Sequence, residues 1–388
     1  MAVCTSSAGD FRTLTCRDSE GRAMNSSAAP ADVIALYQER IRFAAAARTP
    51  LCITGGGTKS FYGRTPSGEP LSTRSLFGIL EYEPSELVVR VLAGTPLSTL
   101  EATLAAQQQM LAFEPPAFGT DATVGGMVAA GLSGPRRAQA GAVRDHVLGA
   151  SLIDAQGQLL HFGGQVMKNV AGYDVSRLLC GSMGILGLIT EVSLKVLPRP
   201  AAEESLVIDC DQATALGHLV RWGGESLPVS ASVWYAGRLL VRLSGARAAV
   251  ESASIRFRRE AGASPVPSEE ATASWQAVRE QRLPVFGDPS RPLWRLSLPQ
   301  TAPVLDLPGE SALEWGGALR WIASDAPAET IRAQAAALGG SAMVFRNGDR
   351  DGEVFAPLSP PVMALHRRLK AQFDGPGIFN PGRLYAGL

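Results

Sequence analysis

The sequence predicts an α+β protein of two successive units. The first is layered from helices and strands. The second is a pair of ferredoxin-like repeats across an antiparallel sheet. Three observations lead there. The chain has 388 residues, more than one ordinary domain holds. Helix and strand patterns alternate around a glycine-rich loop near its start, which implies a layered α/β arrangement. After "LPRPAAEES", at 197–205, a strand, helix and hairpin pattern starts afresh and recurs near 293–346.

The elements follow in order. Residues 1–27 are small and polar, and lack the basic start and apolar stretch of a signal peptide. They read as an N-terminal extension, either disordered or preceding a true start at Met24. Residues 30–47 carry apolar side chains at Val33, Ile34, Tyr37 and Ile41, a helical spacing. "LCIT", at 51–54, reads as a buried strand entering "GGGTKS". "ELVVRVLAG", at 86–94, is a second strand, and Thr95 with Pro96 reads as the N-cap and first turn of the next helix. From Glu114 the texture turns to glycine and small residues. "HVLGASLIDAQGQLLHFGG" reads as a hairpin turning at Ala155-Gln156-Gly157. Residues 172–200 read as a short helix, a glycine-rich turn and a long strand.

Beyond residue 200, the strand "SLVID", a helix around 213–221, two strands at 230–245 and a helix around 247–260 make the first repeat. "LWRLSLP", "ALRWIAS", the helix "ETIRAQAAALGG" and "SAMVFR" make the second. The chain closes with a helix and an ordered Pro/Gly turn in "LHRRLKAQFDGPGIFNPGRLY".

Composition excludes several classes. Lys plus Arg and Asp plus Glu balance at 36 each, which argues against electrostatic nucleic-acid binding. Five scattered cysteines without a CxxC read as reduced thiols of a cytosolic protein, not as an iron–sulfur or zinc site. The four histidines include no HExxH and no pair at metal-ligand spacing. No apolar run reaches the length of a membrane helix.

The stretch "LCITGGGTKSFYGR" carries the chemistry. A P-loop would need glycine at 53 and 58, where Ile53 and Thr58 stand. A dinucleotide fingerprint starting at Gly55 and Gly57 would need glycine at Ser60. Consecutive glycines still bring backbone N–H groups onto an anion without Cβ interference, and Thr58 and Ser60 add hydroxyl donors. The loop alone reads equally as a ligand-free turn. Two more clusters change the balance: Gly125, Gly126, Gly131 and Gly134 in one, Gly181, Gly184 and Gly187 in the other. Three glycine clusters on separate elements suit a long, bent dinucleotide better than one phosphate.

These motifs carry a resemblance. "ITGGGTKS", "PPAFGTDATVGGMVAAGLSGP" and "GSMGILGLITEVSLKVLP" resemble the FAD-binding domain of the vanillyl-alcohol oxidase and p-cresol methylhydroxylase (PCMH) superfamily. "FDGPGIFNPGRLY" resembles the C-terminal turn of its 2-hydroxyacid dehydrogenase branch. "GPRRAQAGAVRDHVLGA", "FGGQVMKNVAGYDVSRL" and "LPGESALEWGGALRW" resemble the FAD-binding subunits of glycolate oxidase. The similarity runs from about residue 28 to the end. It implies a two-part PCMH-type FAD-binding domain over 28–200, an α+β cap over 201–370, and a segment over 371–388 that returns to the flavin.

By position, the resemblance implies that Thr54, Gly55, Gly56, Gly57, Thr58, Lys59 and Ser60 wrap the diphosphate of a noncovalent FAD. Pro116, Gly119, Thr123, Val124, Gly125 and Gly126 would line the flavin and ribityl chain, continued by Ser133 and Gly134. Gly184, Gly187 and Ile189 would sit near the adenosine, and Asn380 and Arg383 would reach back to the isoalloxazine.

Catalytic chains of that branch carry a histidine-rich metal site with a His-x-x-Gly-Asp-Gly-Asn motif. The nearest counterpart here, "RNGDRDGEVF" at 346–355, has no histidine. The resemblance therefore implies a subunit of a multi-subunit glycolate dehydrogenase without its own oxidation site, its catalytic residues unassigned. Its partners would be a catalytic flavoprotein and an iron–sulfur subunit, its substrate a small 2-hydroxy acid. It would be cytoplasmic, or peripheral on the inner membrane face through those partners. A self-sufficient 2-hydroxyacid dehydrogenase and a cofactor-free scaffold are the alternatives.

Other residues have two readings each. Lys168 and Tyr173 contact the flavin or its pocket, or serve capping and packing. Arg144 and Asp145 read as an ion pair or a flavin-domain contact, and Arg136 and Arg137 as a solvated pair or a contact with a carboxylate or a partner surface. Arg295, between Trp294 and Leu296 on a strand, projects into a cleft as a candidate for a substrate carboxylate. His218 and His366 read as surface or packing residues, and Trp294, Trp315 and Trp321 as core.

Overall fold

The computed structural model describes residues 29–164 and 174–388. The N-terminal extension, Lys168 and Tyr173 lie outside the described residues. The chain opens with helix α1 (Pro30–Ala47) and strands β1 (Leu51–Thr54) and β2 (Glu69–Ser72), which pair in parallel. Then come β3 (Ile79–Glu83), β4 (Val88–Leu92), α2 (Leu97–Ala106), the short β5 (Gln109–Met110) and α3 (Val124–Ala130). Two single turns, α4 (Arg137–Ala140) and α5 (Val143–His146), lead to β6 (Val147–Ile153) and β7 (Leu159–Gly163). The first unit ends with α6 (Val175–Leu178), β8 (Leu188–Lys195) and β9 (Leu197–Pro198).

Its main sheet has the order β3-β4-β8-β6-β7, antiparallel throughout. The α+β class expected of the chain holds, and only the layered α/β alternation read for the first unit is corrected. The helices pack beside antiparallel strands instead of joining parallel ones. The turn of the β6–β7 hairpin falls where the sequence puts it, because the Asp154 carboxylate accepts the N–H groups of Gln156 and Gln158. Thr95 does not cap α2. Its hydroxyl exchanges hydrogen bonds with the Gly78 backbone, and Pro96 precedes the helix instead.

The second unit contains β10 (Ala202–Asp209), α7 (Gln212–Gly223), β11 (Val229–Tyr235), β12 (Arg238–Gly245), α8 (Arg247–Ala261), β13 (Ser264–Val266) and α9 (Ser268–Arg279). β14 (Leu293–Ser297), β15 (Glu310–Glu314), β16 (Leu319–Ala323), α10 (Ala328–Ala337), β17 (Ser341–Arg346) and α11 (Pro360–Phe373) follow. The strands form one sheet, β13-β10-β12-β11-β15-β16-β14-β17. Each half has the strand order of a ferredoxin-like repeat, 4-1-3-2. The second repeat has a loop in place of its first helix. The halves join where β11 pairs with β15.

One face of this sheet carries α7 and α8, with Phe257 of α8 packed over Leu206, Leu239 and Val241. The other packs on the first unit through a shared apolar cluster. Tyr62, Ala130, Leu132 and Met183 come from one side, and Phe286, Trp315, Trp321 and Phe345 from the other. Charge reinforces this seam. Glu114 accepts from Arg242 at 2.8 Å and from the Arg136 backbone at 3.0 Å, and Arg136 reaches Glu203 at 2.7 Å. Arg136 is only 7% exposed, so the solvated reading is corrected. Its partner Glu203 lies on β10, beyond the reach of local sequence inspection.

Burial alone would raise the Glu114 carboxyl, but Arg242 and Arg136 outweigh it and hold the group below its ordinary value of 4.5. Such a depressed value contributes stability above the ordinary pKa, and the contribution is lost as pH falls through the folded-state value. Glu114→Gln is therefore expected to cost about 3–5 kcal/mol in urea unfolding at neutral pH, because two buried guanidiniums then share Glu203 as their one remaining counter-charge. The gap between the two proteins should close in the same measurement as pH falls below about 4.

Candidate functional site

β1 runs straight into the Gly55-Gly56-Gly57 loop. A Cβ on Gly56 would stand 1.5 Å from the Asp121 carbonyl oxygen, and one on Gly55 2.2 Å from the Thr123 hydroxyl. Only glycine lets the 119–123 segment lie this close. Gly57 adopts φ 74° and turns the chain back through a Ser60-to-Gly57 backbone bond. Among the described residues, no acceptor takes the N–H groups of Gly55, Gly56 and Gly57. They edge a cleft of about 350 Å³.

Thr123 accepts from the Gly126 N–H and caps α3. The N–H groups of Val124 and Gly125 go to the Thr95 and Ala93 carbonyls. The start of α3 therefore offers the cleft a flat wall at Gly125 and Gly126, not free donors. Val124 is fully buried behind it.

The third cluster is drawn in by the C-terminal turn. The Asn380 side chain accepts from the Ile53 N–H at 2.7 Å and donates to the Met183 carbonyl at 2.6 Å. Its own N–H bonds Leu51, and the Leu51 N–H bonds Ile378. Gly184 must be glycine here, since a Cβ would meet the Asn380 amide at 2.7 Å. This turn is in turn held by Lys370. The buried ammonium bonds Asp374, the Phe379 carbonyl and the Ile185 carbonyl within 2.6–2.8 Å.

The cleft thus gathers Thr54, Gly55, Gly56, Gly57, Thr58, Lys59, Ser60, Thr123, Gly125, Gly126, Gly184, Gly187, Ile189, Asn380 and Arg383. Asn380 lines it, but its amide is committed at both ends to the loops. The Lys59 ammonium turns to the Ala117 carbonyl at 3.1 Å, and burial brings its pKa down to about 8. Ala117 and Phe118 donate their N–H groups to Glu280, which follows α9. Gly119 stands behind Thr58, outside the lining. Pro116, Ser133 and Gly134 border a separate cavity of about 20 Å³ with Arg295 and Glu314. The Gly134 carbonyl there accepts from Trp315.

Arg137 and Arg295 lie over the Trp315 ring at 4.3 and 5.3 Å. Trp294, Trp315 and Trp321 are all buried. His218 stacks on Trp222, and His366 bonds the Val362 carbonyl one helical turn back. Arg144 and Asp145 are 4.0 Å apart and largely exposed. Met183, Thr73, Ala93 and Arg350 also line the cleft, and sequence reasoning missed all four. Met183 had a signal, its place within the GSMG cluster. Arg350 had none.

Free N–H groups along a glycine loop, a flat glycine wall and guanidiniums at one end fit an anionic dinucleotide. Known proteins agree. Residues 30–163 match the family described as FAD binding domain. The chain is 47% identical over 350 residues to glycolate oxidase subunit GlcE of Escherichia coli, covering 90% of this chain and 97% of that one. It is 33% identical over 163 residues to glycolate oxidase subunit GlcD of Bacillus subtilis, covering 41% of this chain and 34% of that one. Among solved structures, an alkyldihydroxyacetonephosphate synthase superposes with TM-score 0.62 at 15% identity, covering 89% of this chain and 73% of that one. That likeness concerns the fold.

Gly56→Ala should lower FAD affinity by at least about tenfold, since the added carbon must push the glycine loop off the 119–123 segment. Visible flavin absorbance relative to protein absorbance reads the loss. Unchanged far-UV circular dichroism would show that the fold survives.

Proposed function

The chain belongs to the family of FAD-binding glycolate oxidase subunits, and from that premise we propose that it carries a noncovalent FAD within a multi-subunit glycolate dehydrogenase. In this reading it lacks its own oxidation site. Glycolate is oxidised to glyoxylate only together with a catalytic flavoprotein, and electrons leave through an iron–sulfur subunit. The chain is an FAD-dependent oxidoreductase subunit, and FAD supplies two-electron redox chemistry when bound. Thr54 to Ser60 would hold the diphosphate. Gly125 and Gly126 would face the ribityl chain, and Gly184, Gly187 and Ile189 the adenosine.

The observation that carries the accessory reading is the filled seam beside the cleft. Phe61 packs edge-on against Phe118 and Phe345, and the Arg346 guanidinium lies over all three rings. These contacts fill the seam beside the cleft with side chains, which supports the accessory reading. The cavity under Arg295 has room for about one water, not for a two-carbon acid. The four histidines sit on separate elements. His146 bonds the Ala140 carbonyl, His161 bonds Ser151, and the other two are engaged as described. The 346–355 loop, where the branch's metal motif would fall, is occupied with the glycine loop through Arg350.

One observation favours the self-sufficient reading. Glu314 is buried beside Arg295, and burial raises its pKa to about 7 although it accepts from Trp321. A carboxylate poised there could take a hydroxyl proton while Arg295 held a carboxylate, provided the seam opened.

Among the described residues no helix is long and apolar enough to cross a membrane. In the proposed complex, contact with the inner membrane face runs through the partner subunits.

The deciding measurement is the absorbance spectrum of the chain purified alone, before and after anaerobic glycolate. The expected result is a flavin spectrum that stays oxidised. Bleaching would overturn the accessory reading in favour of the Glu314 and Arg295 pair. A chain that stays colourless after added FAD would be a scaffold.

A further inference from the structure

Three guanidiniums gather around the 59–64 segment beside the cleft, and two of them line it. Arg383, only 8% exposed, donates to the carbonyls of Lys59, Ser60 and Arg64. Arg350 donates to the carbonyls of Gly63, Ser60 and Arg64 at 3.0, 2.6 and 3.4 Å. Arg64 donates in return to the carbonyls of Gly352 and Gly382. Every acceptor is a neutral backbone oxygen. Among the described residues no carboxylate lies within ion-pair distance of any of the three. Of the acids nearby in sequence, Asp349 accepts from the Asp351 N–H and Glu353 pairs with Arg332.

Clustered like charges, partly buried and without a counter-ion, are costly unless an anion joins them. Burial, and Arg350 beside it, bring the Arg383 pKa down to about 10, which reports the same stress. Arg350 and Arg383 both line the cleft that the Gly55–Gly57 N–H groups edge. Arg350 comes from the other unit. It sits on the loop after β17, which Asn347 ties to the Asp288 carbonyl.

We propose that Arg350 of the second unit is a cofactor-contacting residue of the first unit's cleft. With Arg383, which bonds the 59–64 carbonyls and is here assigned to the dinucleotide's diphosphate instead of the isoalloxazine, it neutralises that diphosphate, so that occupancy of the cleft fastens the two units together. The assignment rests on the reading of this cleft as the FAD site. Neutralisation relieves the repulsion between the two arginines. It also strengthens the Arg350 bonds to the 60–64 segment, because that guanidinium is then held from both sides.

The test uses the full chain with Arg350→Gln and Arg350→Lys. Affinities for FAD and for ADP, the midpoint potential of bound flavin and far-UV circular dichroism are measured. Arg350→Gln should weaken FAD and ADP alike by about tenfold or more, with the potential unchanged, and Arg350→Lys should recover part of the loss. Wild-type ADP affinity should fall with added salt, and salt-indifferent binding would overturn the assignment even where Arg350→Gln does not fold. An unchanged ADP affinity with a shifted potential would place Arg350 at the ring and overturn the assignment. Unchanged affinities, or salt-indifferent ADP binding, would make it only a strap between units. A wild-type chain that binds neither FAD nor ADP would sink the reading of the cleft itself. Normal wild-type binding with an indifferent Arg350→Gln would sink the arginine assignment alone.

Discussion

The buried Lys370–Asp374 pair is the contact on which the rest of the site depends. Lys370 and Asp374 are one helical turn apart at the end of α11, and neither meets solvent freely. Asp374 accepts the N–H groups of Ile378 and Phe379, while Lys370 takes the Phe379 carbonyl. The charges thus fold the chain end into one turn and satisfy its backbone at once. Without that turn, Asn380 could not join β1 to the Met183 loop, nor Arg383 the carbonyls beyond the glycine loop. A buried pair is weak evidence for stability but a strong determinant of geometry when each charge also satisfies backbone groups.

A second constraint is the seam between the two sheets. It is apolar at its centre, around Tyr62, Phe345 and Trp321, and charged at one side, around Glu114. The same seam carries Glu280 to the Ala117 and Phe118 N–H groups, and Lys59 to the Ala117 carbonyl. Segment 114–118 is therefore gripped from both units. The cleft is a property of the assembled pair of units, with its floor in one and a cation from the other.

Much of this was legible in residue order. Glycines concentrate where backbone must approach backbone, so the clusters at 55–57, 125–126 and 184–187 announced themselves. The ferredoxin-like repeats showed through a strand, helix and hairpin order that starts after residue 200 and recurs near 293–346. Other features left no local trace. β15 is a short strand between Gly309 and Trp315, paired with β11 and β16, and its pattern alone is too brief to read. Thr95 has the chemistry of an N-cap, yet tertiary contact gives its hydroxyl to Gly78. Arg136 looked solvated because its partners lie 22 and 67 positions away.

By itself the sequence determined the composition of the site: which loops are backbone-rich, which segment closes the chain, and that no histidine motif stands at 346–355. Those are properties of neighbours in the chain, set by Cβ sterics and short-range periodicity. Only the tertiary structure decided how the parts were used. Asn380 became a clasp between loops, Pro116 and Gly134 fell to a separate small cavity, and Arg350 arrived at the cleft from the opposite unit. The reason is physical. A guanidinium nearly 290 positions from its acceptors is placed by sheet packing and loop geometry, and no local preference of the chain encodes that distance.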